Sequence, residues 1–309
     1  MKALTGKEYG ELFSEPVDDT CLSYPVNMTE ASDIVLPKRT QRSHKYSYGR
    51  ALIIGGSSDY TGAPTLAANA CERSGAGLTR LLVPETIHTI AAIKADGAVV
   101  TPLRATEHGS IDESAIPVVL EHLKHASACV IGPGLGLDAA VHTVVESVAF
   151  EAECPLVIDA DALTICGKNL ELLESRGFPT ILTPHAGEFK RLGCRLDKGR
   201  LEAAITFTRQ YPNVILILKG YGTLIGYRGE ITVNPTGSSA MAKGGSGDVL
   251  SGILCGLLAQ GGAPVETAKY AVYLHGLAGD LARESFGEYS VTPGDLIQAL
   301  PDAFKMVVE

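Results

Sequence analysis

Short apolar runs alternate with longer amphipathic segments from about residue 50 to the end of the chain. Each run is apolar at almost every position, a pattern typical of strands that are buried on both faces of a parallel sheet. A hairpin return strand is predicted at Glu230–Val233, after a turn-rich segment. The other predicted strands are Ala51–Ile54, Leu81–Val83, Ala128–Ile131, Pro155–Ile158, Thr180–Leu182 and Val214–Leu218.

Helical spacing of apolar residues fills the intervals between these strands. The alternation of strand and helix predicts an α/β fold, in which a doubly wound, mostly parallel sheet carries helices on both faces. Ligands of such folds bind at the carboxyl ends of the strands. The predicted helices are Pro64–Ser74, Ala139–Phe150, Leu201–Tyr211, Asp248–Gln260, Val265–Ser285 and Gly294–Met306.

Residues 1–42 lack this alternation, so they are predicted to form an irregular or partly helical arm. Residues 43–309 are predicted to form one domain, since the chain of 309 residues suits a single large α/β unit. The net charge of −9 and the pI of 5.4 argue against a non-specific nucleic-acid partner.

Neither targeting nor membrane insertion is expected from the composition. The most apolar stretch, Val249–Ala259, is too short to span a bilayer, and the amino-terminal residues have no continuous apolar segment. The seven cysteines form no CxxC pair, which favours reduced structural thiols. We therefore expect a cytoplasmic protein.

The strongest local signal is the glycine-rich segment before the helix at Asp248. Gly244, Gly245 and Gly247 precede an uninterrupted helical pattern. The free N–H groups and positive dipole at a helix start attract anions, and glycines let a phosphate approach the backbone closely. Asp248 either caps this helix or acts as a base toward a group that reacts at phosphorus. The same donors are expected to keep its carboxylate ionised.

Three other glycine segments fit standard phosphate motifs less well. Segment 237–244 lacks the second glycine before the lysine and the hydroxyl residue after it that define a Walker loop. Segment 54–58 lacks the spacing of a dinucleotide fingerprint. Segment 132–136 also follows a strand, where a glycine string alone is either a turn or a ligand loop.

Ionisable side chains follow three of the predicted strands. His185 and Glu188 follow one strand, and Glu188 either caps the next helix or holds a water on Mg²⁺. Asp159 and Asp161 follow another, where they either flank one site or cap a helix. Lys219 ends a buried strand, so it either meets an anion such as a phosphate or extends to solvent.

Taken in chain order, these segments resemble the ADP-dependent NAD(P)H-hydrate dehydratase family, which has the ribokinase-like fold. The resemblance extends from about residue 43 to the end of the chain. It implies repair of hydrated NADH and NADPH (NADHX and NADPHX), with ADP, or ATP in some relatives, as co-substrate. Relatives often carry an N-terminal epimerase domain, and the short arm here resembles the stand-alone dehydratase. The segments that carry the resemblance are GGS, GPGLG, DADAL, TPHAGEF, LKGYGT and NPTGSSAMAKGGSGDVLSG.

The resemblance also implies a role for each motif residue. The hydrate hydroxyl would be phosphorylated and phosphate then eliminated, which restores the nicotinamide and leaves AMP. Asp248 is expected to be the catalytic residue that faces this hydroxyl, and Mg²⁺ is expected to accompany the nucleotide, held through water by Glu188. The residues expected around the hydrated dinucleotide are Ala63, Gly134, Gly136 and His185. Those expected to contact the AMP part of ADP are Lys219, Gly220, Tyr221, Gly222, Thr223 and Gly247.

The resemblance further implies a homo-oligomer, with a tetramer favoured. One departure concerns the segment before the first predicted strand of this domain. Relatives often read His-Lys-Gly there, whereas Tyr46 follows His44 and Lys45 in this chain. No role for that loop is therefore carried over.

Two alternative functions fit some of the same residues. A small-molecule kinase of the same fold, acting on hydroxymethylpyrimidine, hydroxyethylthiazole or a sugar alcohol, resembles the chain in its Gly-Gly-Ser-Gly-Asp segment. The vitamin kinases among these typically have Asn at the position of His185, which favours the dehydratase. A nucleotide sensor without catalytic activity would need the same loops but has no use for Asp248.

Overall fold

The computed structural model describes residues 1–167 and 169–308, and within them eleven strands form one sheet. The spatial order of the strands is β1-β2-β11-β10-β9-β8-β7-β6-β3-β4-β5. The strands are β1 Lys2–Thr5, β2 Pro25–Met28, β3 Arg50–Ile54, β4 Leu78–Pro84, β5 Val99–Leu103, β6 Ala128–Ile131, β7 Leu156–Ile158, β8 Thr180–Leu182, β9 Val214–Leu218, β10 Leu224–Tyr227 and β11 Glu230–Val233.

The centre of the sheet is parallel, as the apolar runs predict. Strands β3 to β9 pair in parallel, whereas β10 is antiparallel to both β9 and β11. The strand order reverses between β3 and β6, so the loops that follow these two strands leave the sheet side by side. Such a reversal opens a crevice at the carboxyl ends of the strands. The predicted doubly wound α/β fold is confirmed.

Helices cover both faces of the sheet, and each face has its own apolar core. One core contains side chains of α1, α4, α5 and α9, and the other contains side chains of α2, α10, α11 and α12. The helices are α1 Gly6–Phe13, α2 Ala63–Arg73, α3 His88–Lys94, α4 Ile116–Leu123, α5 Ala139–Glu151, α6 Ala160–Cys166, α7 Leu170–Glu174, α8 Ala186–Arg191, α9 Arg200–Gln210, α10 Ser246–Ala259, α11 Pro264–Ser290 and α12 Pro293–Val308.

The amino-terminal segment differs from the irregular or partly helical arm predicted for residues 1–42. Its strand β2 pairs in parallel with β11, and β1 pairs with β2 at the edge of the sheet. Helix α1 packs its buried Tyr9 and Phe13 into one of the two cores. Sequence patterns missed these strands because each has four residues and is held by pairing rather than by a long apolar run.

Helix α10 lies unusually close to α2, which fixes where its amino-terminal end points. A Cβ atom on Gly252 would lie 2.2 Å from the carbonyl oxygen of Ala67, and one on Gly256 would lie 2.6 Å from that of Cys71. Glycine is therefore required at both positions. The close contact holds the start of α10 at the carboxyl edge of the sheet.

Two expectations from the composition concern membranes and thiols. In the described part of the chain, no helix combines the length and the apolar character that a membrane crossing demands. All seven cysteines are free thiols, and six of them are buried.

Candidate functional site

Asp159, Lys219 and Asp248 lie at one edge of the sheet. Asp159 directly follows β7, Lys219 directly follows β9, and Asp248 lies in the first turn of α10. The Cβ position of Gly247, one residue before Asp248, would lie 3.2 Å from Lys219 Nζ. The tertiary structure therefore joins three motifs that are separated by up to about ninety residues in the sequence.

Asp159 forms the buried centre of this group. Its carboxylate is 1% exposed and accepts hydrogen bonds from Lys219 Nζ at 2.9 Å, Thr183 Oγ1 at 2.7 Å and Ser251 Oγ at 2.7 Å. Burial by itself raises the pKa of Asp159, but the charge of Lys219 and these hydrogen bonds hold the pKa below its usual value. Asp159 is thus an ionised partner that fixes the position of Lys219.

Lys219 carries its charge in a largely enclosed position. Its Nζ lies 2.9 Å from Asp159 and 3.7 Å from Glu188 Oε2. Burial lowers the pKa of Lys219, but the two carboxylates more than offset this effect and the pKa is raised. The sequence left open whether this lysine meets an anion or extends to solvent, and the structure places the carboxylate of Asp159 beside it.

Thr183 and Ser251 are site residues that the sequence analysis missed. Both hydroxyl groups are fully buried and bond to Asp159. Ser251 follows Gly247 by four residues, so the two share one face of α10, and this spacing was a readable signal. The residue after Asp159, Ala160, has φ of +48°, a left-handed conformation that costs a non-glycine residue energy. This turn directs Asp159 and Asp161 to different partners.

The carboxylate of Asp248 has a different environment from the one expected. Within the described residues it accepts no hydrogen bond from a side chain or from the start of α10. Burial and the nearby charges of Asp159, Asp161 and Glu188 together outweigh the opposing charge of Lys219 and raise its pKa to about 7. The expectation that helix donors keep Asp248 fully ionised is therefore wrong. Asp248 can instead exchange a proton near neutral pH.

His185 and Glu188 cap each other at the start of α8. His185 Nδ1 accepts hydrogen bonds from the N–H groups of Gly187 at 2.9 Å and Glu188 at 3.2 Å. Glu188 Oε2 accepts one from the N–H of His185 at 2.7 Å. The side chain of His185 is 55% exposed, and its Nε2 lies 3.6 Å from Glu188 Oε2. The cap thus fixes the orientation of a largely exposed imidazole.

A cleft of about 670 Å³ lies beside Lys219 and the start of α10. Among the residues predicted to contact AMP, Lys219, Gly220, Tyr221, Thr223 and Gly247 line it. The polar groups of Asn234, Asp280 and Arg283 line the same cleft, and the sequence analysis gave none of them a role.

The loop after β9 has the geometry of an anion-binding turn. Thr223 Oγ1 donates to the carbonyl of Gly220 at 2.8 Å, and Gly222 has φ of +60°. Within residues 1–167 and 169–308, the N–H groups of Tyr221 and Gly222 have no hydrogen-bond partner. Successive free N–H groups in such a turn form a concave donor surface for an anion.

Of the residues predicted around the dinucleotide, Ala63 and Gly134 lie next to each other, and Gly136 contacts the motif that contains Asp159. A Cβ on Gly134 would lie 3.2 Å from Cβ of Ala63, so these two positions are adjacent. The N–H of Gly136 donates to Asp161 Oδ2 at 2.9 Å. Asp161 thereby connects the 132–136 loop to the motif that also contains Asp159, while His185 stands at the start of α8.

The carboxylates do not form a ready-made metal cage. Among the described residues, no three His, Cys, Asp or Glu side chains are placed to hold one ion. Mg²⁺ usually takes only one or two protein carboxylates, with water and phosphates completing its shell. Within the described residues, Glu188 Oε1 accepts no hydrogen bond. This oxygen can therefore accept a hydrogen bond from a water molecule that is bound to Mg²⁺ beside a phosphate.

Comparison with known proteins gives a consistent result. The family model of NAD(P)H-hydrate dehydratase matches residues 51–302. The ADP-dependent (S)-NAD(P)H-hydrate dehydratase of Bacillus subtilis is 36% identical over 275 residues, which cover 87% of this chain and 94% of that protein. The crystal structure of the ADP/ATP-dependent enzyme from that organism, obtained with ATP and Mg²⁺, has a TM-score of 0.77 and 31% identity; the match covers 91% of this chain and 99% of that one.

Longer relatives also match. The bifunctional NAD(P)H-hydrate repair enzyme of Moorella thermoacetica is 39% identical over 279 residues, which cover 89% of this chain but 52% of that enzyme. The chain thus spans about half the length of the bifunctional relatives it matches. Solved proteins of the ribokinase-like superfamily share its architecture. The match of the family model to most of the chain shows that this protein belongs to the NAD(P)H-hydrate dehydratase family.

Proposed function

We propose that the protein dehydrates the S-form of hydrated NADH and NADPH at the expense of ADP, releasing AMP and phosphate. One observation carries this proposal: a carboxylate with a pKa of about 7, Asp248, adjoins a cleft lined by Lys219 and glycine-rich backbone. Phosphoryl transfer to an alcohol needs a proton acceptor next to a phosphate cradle.

In the proposed reaction, ADP occupies the cleft and the hydrated nicotinamide lies beside Asp248. The hydroxyl oxygen of the hydrate forms a bond to the β-phosphorus of ADP, and the bond from this phosphorus to the bridging oxygen of AMP breaks. Asp248 takes the hydroxyl proton. The C–O bond of the phosphate ester then breaks as phosphate leaves, and a proton leaves the neighbouring ring carbon to restore the double bond.

Lys219 and Gly247 have separate tasks in this proposal. Lys219, charged and fixed by Asp159, would neutralise phosphate oxygens, and Gly247 would let the phosphates approach the start of α10. The free N–H groups of Tyr221 and Gly222 would add backbone donors. Mg²⁺ would neutralise phosphate charge, with Glu188 holding one of its waters.

The dinucleotide would lie on the opposite side of Asp248 from the ADP. Ala63, Gly134 and Gly136 present little side-chain bulk there, so a planar nicotinamide ring could approach the backbone. The exposed ring of His185 would contribute one hydrogen bond. A homo-oligomer, expected from the resemblance, is part of this proposal and is tested by sedimentation velocity.

A small-molecule kinase of the same fold is the second candidate. The presence of His185 where vitamin kinases typically have Asn favours the dehydratase. Incubation with NADH hydrate and ADP separates the candidates, because a dehydratase restores the absorbance of NADH and forms AMP. A kinase would consume ATP with hydroxymethylpyrimidine or hydroxyethylthiazole and leave the hydrate unchanged, and a sensor would do neither.

Substitution of Gly247 tests the phosphate approach. In Gly247→Val we expect the dissociation constant for ADP to rise by about 100-fold or more, because the added atoms occupy the phosphate position and displace Lys219 Nζ. Isothermal titration calorimetry measures the change. Gly177→Val is the control, since its Cβ meets nothing within 4 Å. ADP binding by folded Gly247→Val at wild-type affinity would contradict this position for the phosphate.

Substitution of His185 tests the dinucleotide side. In His185→Asn we expect KM for the hydrate to rise about tenfold, the worth of one hydrogen bond, with the affinity for ADP unchanged. Asparagine can still cap α8, so Tm should stay within the error of measurement. His185→Ala loses the cap as well and should lower stability by about 1 kcal/mol. Equal weakening of hydrate and ADP would mean that His185 serves the nucleotide instead.

The raised pKa of Asp248 predicts a pH dependence. The base must be ionised to accept a proton, so kcat/KM should rise about tenfold between about pH 6 and about pH 8, with a midpoint near the pKa of about 7. Initial rates at saturating ADP across this range measure the profile. A flat profile would show that the ionisation of Asp248 does not limit the reaction.

A further inference from the structure

Residues 1–29 lie outside the range that the family model matches. They adjoin residues 219–223, the proposed contact for ADP, which we call the nucleotide loop. Strand β2 pairs with β11, and β11 pairs with β10, which begins directly after the loop at residues 219–223. The N–H of Asn234, next to β11, donates to the carbonyl of Thr223 at 2.9 Å. The amino-terminal strands are therefore continuous with the part of the sheet that supports this loop.

Arg200, the first residue of α9, contacts the loop from inside the protein. Its Nη1 donates to the carbonyl of Tyr221 at 2.8 Å, and its Nη2 donates to the carbonyls of Leu218 at 2.9 Å and Gly222 at 3.4 Å. The residue is 9% exposed, and its guanidinium fills the space beneath Gly220, where a Cβ would lie 2.9 Å from Cζ. One side chain thus ties down three carbonyl groups around the turn.

The amino-terminal segment supplies the counter-charge and a packing surface. Glu15, just after α1, accepts a hydrogen bond from Arg200 Nη1 at 2.8 Å and is largely buried. The ring of Phe13 lies edge-on to that of Tyr221, with centroids 5.6 Å apart. A Cβ on Gly222 would lie 2.5 Å from Cδ1 of Phe13, so the loop rests directly on this ring.

These contacts divide the polar groups of the loop between two sides. Arg200 and Thr223 bind the carbonyls of Leu218, Gly220, Tyr221 and Gly222. The N–H groups of Tyr221 and Gly222 have no partner in the described part of the chain, and Tyr221 lines the cleft. A loop held in this way has its donors oriented before an anion arrives, which lowers the entropic cost of binding.

We propose that Glu15, Arg200 and Phe13 form a clamp that preorganises the nucleotide loop, so that the amino-terminal segment is part of the ADP site. None of the three touches the reacting atoms; they are positioning residues that act through residues 219–223. The assignment of ADP as the ligand rests on the proposed function, whereas the clamp itself is a property of the loop.

The experiment measures loop protection and ADP binding in the full-length protein. In Glu15→Gln and Arg200→Lys we expect faster hydrogen exchange at the Gly220 and Asn234 amides, which bond to Thr223. The dissociation constant for ADP should rise about tenfold, since a charge-assisted hydrogen bond is lost in each variant. At saturating ADP, kcat and the KM for the hydrate should stay within about twofold of wild type, a split that general destabilisation would not produce.

The control is Arg195→Lys, because Arg195 pairs with Asp197 near the start of the same helix but is exposed and does not contact the loop. Phe13→Leu independently tests the packing of the Phe13 ring against the nucleotide loop. It replaces Arg200→Lys in the experiment if that variant does not fold. Unchanged exchange and unchanged ADP affinity in folded Glu15→Gln and Phe13→Leu would overturn the clamp. Failure of wild-type protein to bind ADP would overturn the proposed function instead, and the exchange rates would still decide the clamp.

Discussion

Asp248→Asn is expected to lower kcat by at least about 100-fold while leaving ADP binding intact, because general-base assistance is typically worth about 10²–10⁴-fold in rate. The amide has the same shape as the carboxylate but cannot accept the hydroxyl proton. Single-turnover measurement with NADH hydrate and saturating ADP reports this step directly. The rise of kcat/KM with pH should disappear in the same variant.

The stability of Asp248→Asn gives a second readout with a defined sign. The folded protein holds a proton on Asp248 up to a pKa of about 7, whereas the unfolded chain releases it near 3.8. The folded state therefore binds more protons between these values, and stability attributable to this group falls as pH rises through them. The variant lacks this loss, so at about pH 8 it should be more stable than wild type by on the order of 1–3 kcal/mol.

The matched control is Asp112→Asn, which alters a capping carboxylate whose pKa is lowered rather than raised. Near-normal turnover by Asp248→Asn would mean that another residue is the base. Asp159 is already engaged by Lys219, Thr183 and Ser251, so Asp161 would be the next residue to test.

Lys219→Met is expected to abolish measurable turnover and to destabilise the fold by about 3–5 kcal/mol near neutral pH, because removal of one partner leaves a buried charge uncompensated. The charge left behind is Asp159, which is 1% exposed. Its pKa, held down by Lys219 in wild type, should rise in the variant. The variant should therefore regain part of the lost stability as pH falls and Asp159 takes up a proton. Chemical denaturation at several pH values measures the effect.

The double variant Lys219→Met, Asp159→Asn separates the two roles of the lysine. Neutralising Asp159 removes the buried charge, so most of the lost stability should return, while ADP binding should stay weak because the cation is absent. Recovery of both stability and ADP affinity would show that Lys219 only compensates Asp159 and does not serve the phosphate. A double variant as unstable as Lys219→Met would show that the pair is not the source of the destabilisation.

Local pattern determined the central fold. The apolar runs at Ala128–Ile131, Thr180–Leu182 and Val214–Leu218 are strands with the predicted bounds, because a strand buried on both faces must be apolar at every position. The sequence pattern did not predict the edge strands β1 and β2, because β2 pairs with β11, which lies far along the chain, and β1 pairs with β2. Their stability comes from pairing and packing, which periodicity does not encode.

For the site, residue type and position after a strand were sufficient to nominate Asp159, His185 and Lys219, since the carboxyl ends of parallel strands share one edge, and the glycine-rich helix start nominated Asp248. Their partners were not predictable. That Asp159 would neutralise Lys219, and that Thr183 and Ser251 would bind Asp159, depends on distances between segments up to 92 residues apart.

The protonation of Asp248 is where sequence and structure differ most. Its place at a helix start predicted an ionised carboxylate, because local donors and the helix dipole favour the charge. The folded chain instead buries it beside Asp159, Asp161 and Glu188, and desolvation together with these like charges raises its pKa to about 7. The sequence alone determined that a carboxylate stands beside the glycine loop. Only the tertiary structure decided its affinity for a proton, because that affinity depends on burial and on charges brought together from three separate strand ends.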